Sequence, residues 1–260
     1  MCKIEVFCFD CPTIAKPRNV SRHIIQTMYT IGQTNPLTES DIQNIELLTP
    51  IPLPLDYKQF LKSYGFGSIN EILMITQPDE QYIKLNFGDY LDLWNLTEIE
   101  KEETLNGLTI ATTIDGDIII VVNSKENPIK LLPRHSKNPL HFDNFQQVID
   151  HYDNQYQFLN DLYFDTYYNY EQENISFIRN GILNKALFKI IYQNILNIVS
   201  YEKVYNLESQ PKYIIQKIGG WIYFDNISKS SIRIKFQRQL KSEADKIIEY
   251  INTEIDKYDG

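Results

Sequence analysis

Residues 53–70, LPLDYKQFLKSYGFGSIN, write out a helix complete with its beginning and its end. Pro54 suits the opening, because the N–H it lacks is an orphan in a first turn. Asp56 places a negative charge where the helix dipole favours it. Tyr57, Phe60, Leu61 and Tyr64 recur at i, i+3, i+4 and i+7, one apolar face, while Lys58 and Lys62 fall off it. Gly65 fits the left-handed position that stops a helix. Phe66-Gly67 then leads tightly into Ile72–Ile75, an apolar run of strand character.

The flanking segments suit the same plan. Val20–Ile31 has helical spacing with Gly32 as its stop, and Thr38 with Asp41 three residues on predicts a capped helix bearing Ile42, Ile45 and Leu48. Cys2–Phe9 reads as a strand, Gln77-Pro78-Asp79 as a turn, Tyr82–Asn86 as a short strand and Asp89–Glu103 as one helix. Leu108–Thr112 and Ile118–Val122 are strands joined by the hairpin signal Asp115-Gly116, and the β-branched run Ile118–Val122 is typical of a strand buried on both faces. Ile129–Leu132 pairs back. Asp143, with Gln146 three residues on, is expected to cap a helix whose face is Phe145, Val148, Ile149 and Tyr152.

Residues 153–174 are crowded with Tyr, Asn and Asp, which marks a composition shift and reads as a linker or an aromatic helix. Beyond it lie a core helix from Ile182 to Val199, a hairpin Tyr213–Ile218 and Trp221–Phe224 around Gly219-Gly220, a strand Ser231–Phe236 and a closing helix Ser242–Tyr258. The division expected is an N-terminal strand and helix over residues 1–35, a main domain over 36–152 and a C-terminal α+β extension or second small domain over 153–260.

Leu53-Pro54-x-x-Tyr57-x-x-Phe60-Leu61 followed by Gly65-x-Gly67 resembles the opening of SUKH domains, the superfamily of the fungal Smi1/Knr4 proteins and many bacterial immunity proteins. The likeness runs on through Ile114–Ile120 and Phe142–Phe145 and covers residues 36–152. It implies an α+β fold, a twisted, mainly antiparallel sheet with flanking helices. It also implies a non-enzymatic cytoplasmic antidote that binds and occludes a cognate toxin domain. A regulatory or scaffolding module is the alternative the same resemblance permits.

Charge sharpens that expectation. The net charge is −9 over 260 residues, which disfavours nucleic acid as a partner, since counterion release needs a basic surface. Between Glu71 and Asp117 eleven acids face only Lys84 and Lys101, so this window alone carries −9. A basic protein, such as a nuclease toxin, is the partner such a surface suits. The expected contact set is an acidic rim of Asp89, Asp92, Glu98, Glu100, Glu102, Glu103, Asp115 and Asp117 around the anchors Tyr82, Tyr90 and Trp94. A solvated helix face is the plainer reading of the run Glu98–Glu103.

Chemistry finds few footholds. Cys8-x-x-Cys11 lacks the second ligand pair of a zinc site, with His23 the only near candidate, and Pro12 spoils the helix start of a redox pair. Two small thiols in a reducing compartment are the simpler account. His141 with Asp143 could form a base and its orienter, and Asp115 with Asp117 could chelate a cation, but one spacing proves little. An unrecognised active site would have to lie in residues 175–260. No cofactor or metal is expected. The start, Met1-Cys2-Lys3-Ile4-Glu5, lacks a signal-peptide pattern, and no apolar run of membrane-spanning length occurs.

Overall fold

The computed structural model describes residues 28–49, 51–158, 161–206 and 210–259. The expected strand Cys2–Phe9, the Cys8/Cys11 pair and His23 lie outside them. Of the helix expected over Val20–Ile31, the described end is instead a strand, β1 (Tyr29–Ile31), which pairs in parallel with a strand from far along the chain. Helix α1 (Glu39–Leu48) opens on a complete capping box: Asp41 N–H donates to the Thr38 hydroxyl at 3.2 Å, and Thr38 N–H donates to the Asp41 carboxylate at 2.8 Å. The Thr38 hydroxyl also donates to that carboxylate, at 2.7 Å, and it and the Thr38 N–H hold the Asp41 carboxyl below its usual range.

Helix α2 (Leu55–Tyr64) forms as its sequence dictates, with Pro54 as N-cap and Tyr57, Phe60, Leu61 and Tyr64 buried. Gly65 ends it at φ +75°, and a Cβ there would lie 2.1 Å from the Asn35 carbonyl oxygen, so no other residue fits without moving the chain. The short strand β2 (Gly67–Ile69) turns directly into β3 (Leu73–Asp79). Asn70 and Glu71 both take positive φ at that corner, 49° and 57°, and Ile72 N–H closes it on Ile69 O at 3.0 Å. The expected turn at Gln77-Pro78-Asp79 is not made. The strand runs through it with a bulge against its neighbour, which lets the proline stay in the sheet.

Two more corrections follow. Tyr82–Asn86, expected as a strand, is helix α3 (Tyr82–Phe87), because the Asp79 carboxylate accepts the Gln81 and Tyr82 N–H groups at 2.7 and 3.1 Å and starts a turn there. The single helix expected over Asp89–Glu103 is two pieces, a 3-10 helix Gly88–Leu93 and α4 (Glu98–Leu105). Thr97 caps α4 in a second capping box with Glu100. Strands β4 (Leu108–Thr113), β5 (Ile118–Val121), β6 (Ile129–Leu132) and β7 (Leu140–Phe142) continue the sheet by antiparallel neighbours. Helix α5 (Phe145–Tyr156) is capped by Asn144, one residue past the expected Asp143, through Gln147 N–H at 3.0 Å.

The tyrosine-rich stretch is neither linker nor helix. It forms β8 (Tyr163–Thr166) and the start of β9 (Tyr170–Ser176). Strand β8 inserts between β1 and β2, giving an eight-stranded sheet in the order β1-β8-β2-β3-β4-β5-β6-β7, antiparallel except for the β1–β8 pair. The first sheet therefore draws strands from before residue 36 and after residue 152. Asn70 fastens β8 in place, donating its N–H to Tyr163 O at 3.0 Å and accepting Tyr163 N–H on its side-chain oxygen at 2.8 Å.

One face of this sheet carries α1, α2 and α5. Phe60 is the hub of an aromatic cluster, its ring 5.3 Å from Phe145 and 5.8 Å from Phe164 of β8. Strand β5 is buried on both faces as its composition indicates: Ile119 and Val121 join this core, and Ile118 and Ile120 join the one beneath α3 and α4.

The rest of the chain builds a hairpin β10 (Ile178–Arg179) and β11 (Ile182–Leu183), then α6 (Lys185–Ile198), β12 (Lys203–Tyr205), β13 (Lys212–Ile215), β14 (Gly220–Phe224), β15 (Ser231–Gln237) and α7 (Lys241–Asp259). The second sheet has the order β12-β13-β14-β15-β9. Its inner residues alternate strictly. Ile222, Phe224, Ile232, Ile234 and Phe236 face α6 and α7, while Trp221, Ile214 and Tyr223 face Ile31, Tyr163 and Tyr205. The fold is α+β, as expected.

The contact between the two sheets is charged and buried. Lys235 donates to Asp165 and to Thr166 O, both at 2.7 Å, and Trp221 Nε1–H donates to the other Asp165 oxygen at 2.9 Å. Lys212, 1% exposed, pairs with Glu71 at the β2–β3 corner and sits 4.6 Å from the centre of the Trp221 ring. Burial pushes the Lys212 ammonium below its usual pKa, against the pull of Glu71 and Asp165. Two glutamines complete the joint: Gln216 binds Gly32 N–H and Thr30 O, and Gln237 binds the N–H and C=O of Gln33. Their amides satisfy backbone groups at and just beyond β1, which lies at the sheet's edge.

Candidate partner-binding surface

The layer from Tyr82 to Leu105 lies over the sheet face opposite α2 and α5. Ile83, Leu91 and Trp94 reach down onto Ile118, Ile120 and Leu132. Trp94 is 5% exposed, and its indole N–H donates to Pro133 O at 2.8 Å, so it is a core side chain and not a partner-contact anchor. Tyr82 is half-buried, its ring 6.3 Å from Phe87. Tyr90 stands outward, and so do Asp89 and Asp92 beside it.

The outward side of this layer carries Tyr90, which the sequence reading named as an anchor, and three large apolar residues it did not, Leu85, Leu93 and Ile99. Leu85 is 79% exposed, Tyr90 60%, Leu93 50% and Ile99 74%. The misread of Tyr82–Asn86 hid Leu85. In a strand, Ile83 and Leu85 share a face; in a helix they sit on opposite sides. The side-chain signal was there, in Asp79 placed to begin a helix turn.

The four acids of α4 divide by role. Glu100 belongs to the capping box: its carboxylate accepts the Thr97 N–H at 2.8 Å and the Thr97 hydroxyl at 2.7 Å, and these bonds hold its carboxyl below the usual range. Glu103 leans inward to Lys130 of β6, 3.7 Å away. Lys130 is fully buried under α4, donating to the Thr104 hydroxyl at 3.4 Å, and desolvation lowers its pKa although Glu103 and Glu100 oppose that. Glu98 faces solvent in a 2.7 Å pair with Lys101, which is worth little on a surface. Glu102 is exposed and unpaired among the described residues.

Asp115 and Asp117 are not brought to this group. They lie in the β4–β5 loop, at the end of β4 away from α4. Asp117 accepts Tyr152 O–H at 2.9 Å and Arg134 N–H at 2.8 Å, and Asp115 accepts Tyr156 O–H. Both carboxylates are hydrogen-bonded rather than free: Asp115 is exposed, as the plainer sequence reading has it, while Asp117 is half-buried. Burial, then Asp115, pushes the Tyr156 hydroxyl up to about 12. Asp143 is engaged by the Gln147 amide at 3.0 Å. Among the described residues no group of three or more His, Cys, Asp or Glu side chains is placed to hold a metal ion, and no helix is long and apolar enough to cross a membrane.

The surface that results has exposed Leu85, Tyr90, Leu93 and Ile99 with Asp89, Asp92, Glu98 and Glu102 on the same layer. In a protein contact, apolar anchors of this kind supply affinity, and charges around them steer the encounter.

Comparison with known proteins bears on both sheets. A protein of Bacillus subtilis (strain 168), described as the uncharacterized protein YobM, is 30% identical over 142 residues, which is 50% of this chain and 71% of that protein. No solved structure matches the chain. Residues 36–248 match the SMI1 / KNR4 family (SUKH-1), so the likeness seen over 36–152 extends through all five strands of the second sheet and into α7. The chain belongs to the SMI1 / KNR4 family.

Proposed function

We propose that this chain is an immunity protein that neutralises a cognate toxin domain by stoichiometric binding in the cytoplasm. The observation that carries the reading is the outward side of the Tyr82–Leu105 layer. Four large apolar side chains are exposed there among exposed acids, of which Asp89, Asp92 and Glu102 have no ion-pair partner among the described residues, in a protein whose net charge is −9. Scattered single apolar residues need no explanation, but several on one layer mark a contact surface. The acids select a basic partner, and a nuclease is basic because its substrate is a polyanion. Family membership supports the same reading. The mechanism assigns this chain no catalytic step: it covers the toxin's working surface.

A second reading, a regulatory or scaffolding module with several partners, is favoured by a different feature. A groove of about 680 Å³ runs along the edge strand β9, between Glu171, Glu173 and Phe236 on one side and Lys241, Asp245 and Ile248 on the other. Its mixed charge suits a different partner from the acidic layer.

Co-expression with the product of the adjacent gene separates the two. The immunity reading expects a 1:1 complex and restored growth of cells carrying that product's C-terminal domain. Growth unaffected by the domain in the first place, with several unrelated proteins retained on the column, is the outcome for the scaffold.

A further inference from the structure

We propose that a pocket at the C-terminal end of α4 receives an arginine side chain from the protein partner. This rests on the binding reading above and adds the chemistry of its main polar contact. The pocket, about 410 Å³, is lined by Ile51, Ile99, Glu102, Glu103, Asn106 and Asn123. Ile99 belongs both to this pocket and to the exposed apolar residues of the layer, so the two surfaces are continuous.

Each part of the lining asks for the same visitor. Ile51 and Ile99 give apolar walls, which suit the methylene stem of a long side chain. The head of the pocket is rich in acceptors. The Glu102 carboxylate has no partner among the described residues, and Glu103 is met by Lys130 on one oxygen at 3.7 Å. Asn106 uses its amide N–H on Glu102 O at 3.0 Å, which leaves its side-chain oxygen to accept. Helix α4 also ends here with no basic residue in its last turn, although the carbonyl end of a helix favours a cation and disfavours two glutamates. A guanidinium brings five donors in a planar fork and can bridge carboxylate and amide oxygens at once; an ammonium offers a single point.

The test is an NMR titration of the full chain with N-acetyl-arginine amide, using N-acetyl-lysine amide and N-acetyl-norleucine amide as controls. The expected result is saturable shifts at Ile99, Glu102, Asn106 and Asn123 with a Kd of order 1 mM. We expect at least fivefold weaker binding of the lysine compound and none of the norleucine compound. Glu102→Gln, on an exposed helix position, should weaken arginine binding at least fivefold without altering the spectrum elsewhere. Equal binding of lysine, or arginine shifts unchanged in Glu102→Gln, overturns the proposal. So does partner binding that persists at full strength while arginine amide perturbs nothing in the pocket, an outcome that leaves the immunity reading standing. Arginine capture by a chain that binds no basic partner overturns the functional reading alone.

Discussion

Replacing Asp165 by alanine removes one carboxylate and orphans two groups. Asp165 is 3% exposed, with one oxygen 2.7 Å from Lys235 Nζ and the other 2.9 Å from Trp221 Nε1. Taking one partner from a buried ion pair costs about 3–5 kcal/mol, because the other charge stays behind in a poor solvent. Lys235 would keep Thr166 O and the face of Tyr170, 4.5 Å away, which argues for the lower end. The stranded indole N–H adds about 1–3 kcal/mol. A total of about 4–6 kcal/mol is a large part of the roughly 5–15 kcal/mol a domain has. At about 2–4 °C per kcal/mol the midpoint should fall by about 8–24 °C. Urea unfolding followed by Trp221 fluorescence, in a Trp94→Phe background, measures both stability and the interface. Asp165→Asn should lose less, since it keeps an acceptor for Trp221. Asp165→Leu with Lys235→Met should recover most of the loss, because a well-packed apolar pair replaces a buried ionic one at little or no cost. A loss below about 1 kcal/mol in Asp165→Ala, with Trp221 emission unmoved, would show that the charged joint does not hold the sheets together.

Other positions give independent checks. Gly65→Ala should lower stability by at least about 1–2 kcal/mol from positive φ alone, with the Asn35 contact adding to it, and the urea midpoint reads this directly. A chain cut after Tyr156 loses β8, and with it Phe164 and the strand between β1 and β2; it should show no cooperative unfolding transition and rapid proteolysis. Alkaline pH should unfold the protein. Burial raises the folded hydroxyls of Tyr156 and Tyr167 to about 12, so their contribution is intact below about pH 10, the unfolded value, and is lost as pH rises through about 12. Lys212 works the other way, since its lowered folded pKa penalises folding until it deprotonates. Tyrosinate absorbance at 295 nm should therefore show a late step coincident with loss of far-UV ellipticity; complete ionisation near pH 10 with ellipticity intact contradicts this.

The parts of the fold that were legible are those fixed locally. Helix α2 announces its cap, its face and its stop within twelve residues, and β5 shows its double burial in an unbroken β-branched run. What was lost depends on distant partners. In Tyr163-Phe164-Asp165-Thr166 the aspartate looks like a loop residue, because nothing nearby says that Lys235 and Trp221 will meet it. The tyrosines of that stretch look like an aromatic face because they are split between two sheets. At the binding surface the acids were visible and their roles were not. Glu100 could have been recognised as a capping residue from Thr97, three positions back. Glu103 could not, since Lys130 approaches from a strand on the other side of the core. Leu85 turned outward once the helix at Tyr82 replaced a strand.

Stopped-flow association of the adjacent gene's toxin domain with wild type, Glu98→Lys/Glu102→Lys and Tyr90→Ala/Leu93→Ala, at low and high salt, addresses the acidic, apolar layer itself. Charge reversal should slow association about tenfold or more at low salt and flatten its salt dependence, whereas removing the apolar pair should speed dissociation about tenfold or more. Rates indistinguishable from wild type in both variants would place the contact elsewhere on the molecule.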